Sequence, residues 1–190
     1  MVAWMELLKL KGLDEDTIRE IEKDVTRLET ITDRFSKIGS ATKLEKTNIV
    51  AVVHDTVAYI RSRISSKVSF DIKPGLEKEI IVPLNHHLFE WVIENLCKNA
   101  VDAMESSGNV NIEITEDVDH IHIDIADTGK GIPKSLFKTI FRPGYTSKAR
   151  GWGLGLTLTK RIVENYHAGK IYVKSSTLNK GTTFRIILKK

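Results

Sequence analysis

With 190 residues, 41% of them apolar, the chain is long enough for one sizeable hydrophobic core and a small appendage. Its single cysteine, Cys97, excludes an intramolecular disulfide and a cysteine-based zinc site and suits a reducing compartment. No apolar run approaches the roughly 18 residues of a membrane span, no signal peptide opens the chain, and a net charge of +4 concentrated in one loop argues against a nucleic-acid partner.

Residues 3–11 read as the end of an amphipathic helix. Gly12 breaks it, and residues 13–16 offer capping side chains for the next. From there Ile18, Ile21, Val25, Leu28, Ile31 or Thr32, Phe35 and Ile38 step by threes and fours, a long helix with one narrow apolar stripe that Gly39 and Ser40 end. The two make a helical hairpin. Its stripe resembles a coiled-coil seam, to be covered either by a second copy of the chain or by its own domain. Residues 41–47 are a polar link. Ile49, Val53, Val57, Ile60 and Ile64 mark a second helix, and residues 67–73 alternate as a strand. Residues 79–82 are short and extended, closed by Pro83. A strong helix is expected over 84–105. Residues 110–114 and 121–125 alternate as a hairpin that delivers Asp127 at its end. A short helix after Pro133, a helix over about 153–167 with Gly169 as its C-cap, and strands over 170–175 and 182–188 complete the chain. The expected fold is α+β: a two-layer sandwich of a mixed, largely antiparallel sheet with helices on one face, preceded by the hairpin fragment.

Residues 127–156 carry the chemistry. Between Thr128 and Val163 stand eight basic residues (Lys130, Lys134, Lys138, Arg142, Lys148, Arg150, Lys160, Arg161) and no acidic one. Glycine clusters bracket this basic loop, so backbone N–H groups and lysines can meet a phosphate-rich ligand. The second cluster runs into an apolar-periodic stretch and reads as a helix start. Neither a dinucleotide fingerprint nor a Walker loop is present: the third fingerprint glycine would fall on Leu156. On the 84–105 helix, Asn95, Asn99 and Asp102 share a side at i, i+4 and i+7, a set of hard oxygen donors suited to Mg²⁺ or simply an exposed polar face.

Four segments in order carry a resemblance: Asn-Leu-x-x-Asn-Ala (95–100), Asp-x-Gly-x-Gly (127–131), Gly-x-Gly-Leu-Gly-Leu (151–156) and Gly-Thr-Thr-Phe (181–184). Together they resemble the ATP-binding domain of sensor histidine kinases, in the wider group of DNA gyrase, the heat-shock chaperone ATPase and MutL. The similarity covers about residues 45–190. The resemblance implies that Asn99 coordinates Mg²⁺ bridging the triphosphate of ATP, with Asn95 and Asp102 nearby, and that Asp127 accepts the adenine amino hydrogen. It implies that Gly129, Gly131 and Ile132 pass the base closely, with Thr183 completing the set. Residues 141–148 resemble the family's lid. The resemblance implies Lys148 as its candidate phosphate contact and Arg142 as a weaker one, beside Phe141, Thr146 and Ser147. Gly151, Gly153 and Gly155, interleaved with Leu154 and Leu156, would admit the phosphates.

One position discriminates within the group. ATP-hydrolysing relatives carry a water-activating glutamate four residues before the Mg²⁺ asparagine, where this chain has Asn95. Glu94 is adjacent, but one helical step turns it about 100° away. An amide is no base, so water attack is expected to be slow and Asn95, Asn99 and Lys148 to serve transfer by positioning and charge neutralisation. The family's acceptor histidine sits on the first hairpin helix, whereas the earliest histidine here, His54, lies beyond it. The expectation is therefore a fragment in two parts. Residues 1–40 are a partial dimerisation hairpin without the acceptor. Residues 45–190 are a catalytic domain that binds ATP but does not phosphorylate itself. The implied partners are a second copy through the hairpin and a response regulator, with no nucleic acid and a membrane only through segments outside this sequence. The implied location is cytoplasmic. Two other readings remain: an ATP-gated interaction module without transfer, and a serine-directed kinase of the anti-sigma-factor type.

Overall fold

The computed structural model describes residues 43–73, 79–148 and 151–190, together with Thr17. The hairpin expected over residues 1–40 lies outside these. Residues 43–190 cluster as one unit.

The unit opens with strand β1 (Glu45–Asn48) and helix α1 (Ile49–Arg61). The Asn48 side chain accepts the Val50 N–H at 3.1 Å and caps the helix start. Strands β2 (Val68–Ile72) and β3 (Ile81–Leu84) follow, then α2 (His86–Ala103), capped by Asn85 accepting the Leu88 N–H at 3.0 Å. The hairpin β4 (Gly108–Glu116) and β5 (His120–Asp127), helix α3 (Gly155–Arg161), and the hairpin β6 (Lys170–Thr177) and β7 (Gly181–Lys189) complete it. Short 3₁₀ turns occupy Lys134–Leu136 and Thr139–Phe141.

The main sheet has the order β2-β4-β5-β7-β6, with β2 parallel to β4 and every other pair antiparallel. This is the expected α+β sandwich. Alternation decides its faces. Ile121, Ile123, Ile125 and Asp127 of β5 point to the helix side with Thr182, Phe184, Ile186 and Leu188 of β7. Against them α2 sets a wide stripe of Leu88, Phe89, Val92, Ile93, Leu96, Cys97 and Ala100, all buried. Its Leu, Phe, Val and Ile side chains each contribute about 1.5–3 kcal/mol by burial, so this layer dominates the core. On the outer face Asp124 accepts hydrogen bonds from Arg185 Nε and Nη2 and from Lys174 Nζ, each at 2.6 Å.

Three expectations change. The polar link contains β1, which pairs antiparallel with β3 as a separate two-stranded sheet (Glu45↔Leu84 to Asn48↔Ile81). Pro83 does not close a strand but lies within β3 opposite Lys46, which a two-stranded edge permits. The 153–167 helix is α-helical only to Arg161. Ile162–Tyr166 widens to π-type turns, and Ala168, not Gly169, takes the left-handed conformation at φ +47°.

Candidate nucleotide site

Strand β5 ends at Asp127, whose parity places it on the helix side of the sheet, 8% exposed. Its Oδ1 accepts the Gly129 N–H at 2.8 Å and the Thr182 N–H at 3.3 Å. Its Oδ2 accepts no hydrogen bond among the described residues, which leaves one carboxylate oxygen fixed in direction and open to a donor. Burial pushes the carboxyl above its ordinary pKa, and the two N–H bonds oppose that. The Asp-x-Gly-x-Gly turn packs on protein. A Cβ on Gly129 would lie 2.5 Å from the Ala103 carbonyl oxygen, and one on Gly131 would lie 2.2 Å from that of Thr177. The Lys130 N–H donates to the Ala103 carbonyl at 3.0 Å, and the Ile132 N–H to Ser176 Oγ at 2.7 Å. The turn is thus fastened to the end of α2 and to β6.

Helix α2 brings Asn95, Asn99 and Asp102 to one side as expected. Asn95 Nδ2 donates to the fully buried Thr159 Oγ1 on α3 at 2.9 Å. Gly155 lies so close that a Cβ there would meet Asn95 Oδ1 at 2.5 Å. The Lys148 ammonium donates to Asn99 Oδ1 at 2.8 Å and to Asp102 Oδ2 at 2.5 Å. The oxygens suited to a divalent cation therefore already gather around one positive charge. Glu94 faces away: it pairs with Lys98 and lines a groove with Asp55, Thr56, Tyr59 and Glu90.

The 141–148 segment divides into an anchor and a loop. Phe141 is buried edge-on against Phe184, ring centroids 6.3 Å apart, with Lys160 Nζ 5.7 Å from its ring. It is a buried residue that fixes the start of the segment. Arg142, Thr146, Ser147 and Lys148 are exposed, and Thr146 Oγ1 accepts the Lys148 N–H at 3.1 Å. The Gly144 N–H donates to the Gly153 carbonyl at 3.2 Å and ties the segment to the second glycine cluster. Gly151, Leu154 and Leu156 are half-buried in that cluster and its entry into α3.

Thr183 lies on the same strand as the Thr182 N–H that holds Asp127. It pairs with Ala126, and strand parity puts its side chain on the outer face, away from Asp127. Its neighbour Thr182, missed from the sequence, supplies the N–H to Asp127 Oδ1. Thr182 Oγ1 is 2.9 Å from Ser176 Oγ, a second residue that the motif pattern did not mark.

A buried carboxylate with one free oxygen, a helix face of amide and carboxylate oxygens, and a lysine-bearing loop between glycine clusters define a nucleotide-binding α+β sandwich. Residues 85–190 match the family described as histidine kinase-, DNA gyrase B-, and HSP90-like ATPase, and the chain belongs to it. It is 36% identical over 143 residues to sporulation kinase A of Bacillus subtilis (strain 168), covering 75% of this chain and 23% of that protein. The chain thus spans about a quarter of that relative's length. Two solved structures share the fold. The nucleotide-free catalytic domain of histidine kinase ThkA has a TM-score of 0.68 and 24% identity, over 78% of this chain and 96% of that one. ThkA in complex with the response regulator TrrA has a TM-score of 0.71 and 22% identity, over 99% of this chain and 56% of that one. No helix among the described residues is long and apolar enough to cross a membrane.

Proposed function

We propose that this chain is the ATP-binding catalytic part of a sensor histidine kinase. It transfers the γ-phosphate to a histidine outside this sequence, for relay to an aspartate of a response regulator. The observation that carries the reading is Asp127, whose Oδ1 is held by two backbone N–H groups while Oδ2 is left open. An open carboxylate oxygen accepts the amino hydrogen of adenine and repels the carbonyl oxygen that guanine presents in its place, so the site selects ATP.

Asn99, with Asn95 and Asp102 nearby, would hold Mg²⁺. Bound there, the ion would neutralise charge on the triphosphate. Lys148, on an exposed loop, changes partner from these oxygens to a phosphate. Asn95 donates one amide N–H to Thr159 and offers no base for water, so the γ-phosphate is preserved for a protein nucleophile. The kinship with sporulation kinase A supports a histidine acceptor. The hairpin of residues 1–40 is read as the route to a second copy of the chain, and the ThkA–TrrA complex supports a response regulator as partner.

Calorimetric titration with a non-hydrolysable ATP analogue, with and without Mg²⁺, tests the site in the chain and in Asp127→Asn. Saturable binding that Mg²⁺ tightens and the substitution weakens at least tenfold is expected. No heat from the folded, unsubstituted chain would overturn the reading. Radiolabelled ATP with a supplied histidine-bearing hairpin then tests transfer. Acid-labile label on the hairpin and none on this chain is expected. Acid-stable label would mean a serine-directed kinase, and binding without transfer an ATP-gated interaction module.

A further inference from the structure

The first turn of α2 carries a second set of ligating atoms, at the end of the helix remote from Asn99. His86 Nε2 lies 3.3 Å from Glu90 Oε1, and His87 Nδ1 lies 3.3 Å from Glu90 Oε2. One ligand atom from each of the three residues falls within 4.8 Å of the others. We propose that His86, His87 and Glu90 form a binding site for a first-row transition-metal cation of the zinc class, separate from the nucleotide site.

The donor set selects the ion. Two imidazole nitrogens and one carboxylate are zinc-type ligands, and bond lengths of about 2.0–2.2 Å bring such atoms roughly 3.3 Å apart around a tetrahedral centre. Mg²⁺ prefers an all-oxygen octahedron and is poorly served here. The backbone holds the set in register. Glu90 is one turn from both histidines, at i+4 and i+3, and Asn85 locks that turn by accepting the Leu88 N–H. Glu90 engages both imidazoles at once, one with each oxygen, so the three side chains are gathered before any ion arrives.

Charge around the turn also favours a cation. The positive end of α2 counts against one by the equivalent of about half a unit charge. Glu90 and Asp55, which line the adjacent groove of about 390 Å³ between α1 and α2, bring two negative charges, and Glu94 beyond them is already paired with Lys98. His87 is 85% exposed, so water reaches the open coordination positions. His120, His122 and Asp117 make a less suitable cluster. There Asp117 Oδ1 already accepts the Asp119 and His120 N–H groups, at 2.9 and 2.8 Å, and His122 Nδ1 is buried.

The test uses the tag-free chain, stripped with chelator and dialysed. It is titrated with ZnCl₂ by calorimetry and with CoCl₂ by visible absorption. One equivalent is expected, undisturbed by excess Mg²⁺. Glu90→Gln and His87→Ala should each weaken binding at least tenfold, and the His120→Ala, His122→Ala double variant should bind as the parent does. His87 is 85% exposed, so its substitution leaves the fold intact and decides the matter if Glu90→Gln proves unstable. Zinc binding that is absent, unchanged in His87→Ala, or lost in the His120/His122 variant would overturn the proposal.

Discussion

At Asp127 binding and stability pull in opposite directions. Burial raises its folded pKa above the unfolded value. A carboxyl shifted that way favours the fold below the ordinary carboxylate range. Its contribution is lost as pH rises through the window up to the raised value. At neutral pH the charged group is therefore a liability that the fold carries. Asp127→Asn keeps an oxygen for the Gly129 and Thr182 N–H groups and removes the charge. Its melting temperature should equal or exceed the parent's at pH 7, with the gap closing as pH falls below 4. ATP-analogue affinity should fall on the order of tenfold to a hundredfold, or about 1.4–2.7 kcal/mol. Scanning calorimetry across pH, beside the titration, checks both, and a lower melting temperature at pH 7 would contradict the account. Gly181 supports the same residue from behind. At φ +108° a Cβ there would stand 1.8 Å from the Asp127 carbonyl oxygen. Gly181→Ala should lose about 2–4 kcal/mol in urea unfolding or yield no folded protein. Asp127 was legible because its motif is short, local and glycine-marked. Thr182 was not, because two adjacent threonines differ only in strand parity, and Phe184 with Ile186 sets that parity once their burial is known.

Between elements, His167 does what neither capping motif nor periodicity announces. Its Nδ1–H donates to the Ile162 carbonyl at 2.9 Å, and its Nε2 accepts the Asn85 N–H at 3.0 Å. It stands edge-on to Phe89, centroids 5.7 Å apart. One nitrogen donates and the other accepts, which only the neutral ring does. This clasp joins the end of the α3 segment to the cap of α2, so it sets the spacing of the two helices that carry Asn95 and Thr159. Burial holds the ring's pKa below its ordinary 6.5. The unfolded chain then binds more protons between the lowered value and 6.5. The stabilisation is complete above 6.5 and is lost as pH falls through that interval. The parent should lose stability between pH 7 and pH 5. His167→Leu should be weaker by about 1–2 kcal/mol at pH 7, because the half-buried Asn85 N–H loses its acceptor, and flatter across the interval. Denaturant titrations at the two pH values measure this, and parallel slopes would reject it. Strongly periodic elements such as α2, β4 and β5 were legible in the sequence. β1 was not, because four polar residues on a two-stranded edge carry no alternation, and the π-type turns after Arg161 preserve the apolar spacing of an ordinary helix.

For the molecule as a whole, the question is how much chain the site requires. Every side chain assigned to it, from Asn95 through Lys148 to Thr182, belongs to the unit of residues 43–190. So does the core beneath it: α2 covers the sheet with side chains of its own unit, and both helix caps, Asn48 and Asn85, are internal. A unit of that length buries about two thirds of the surface that its unfolded chain exposes, enough for independent folding. A fragment of residues 43–190 should therefore unfold in one cooperative transition and bind the ATP analogue within threefold of the full chain, with the same Mg²⁺ dependence. The charge pattern supports this. The basic run that would meet the phosphates lies wholly between Lys130 and Arg161, and Lys148 finds its carboxylate and amide partners on α2 of the same unit. Calorimetry and circular dichroism on the fragment check the expectation directly. A fragment that folds but binds more than tenfold more weakly would assign part of the site to residues 1–42. The phosphotransfer assay would then have to be read as a property of both parts of the chain together.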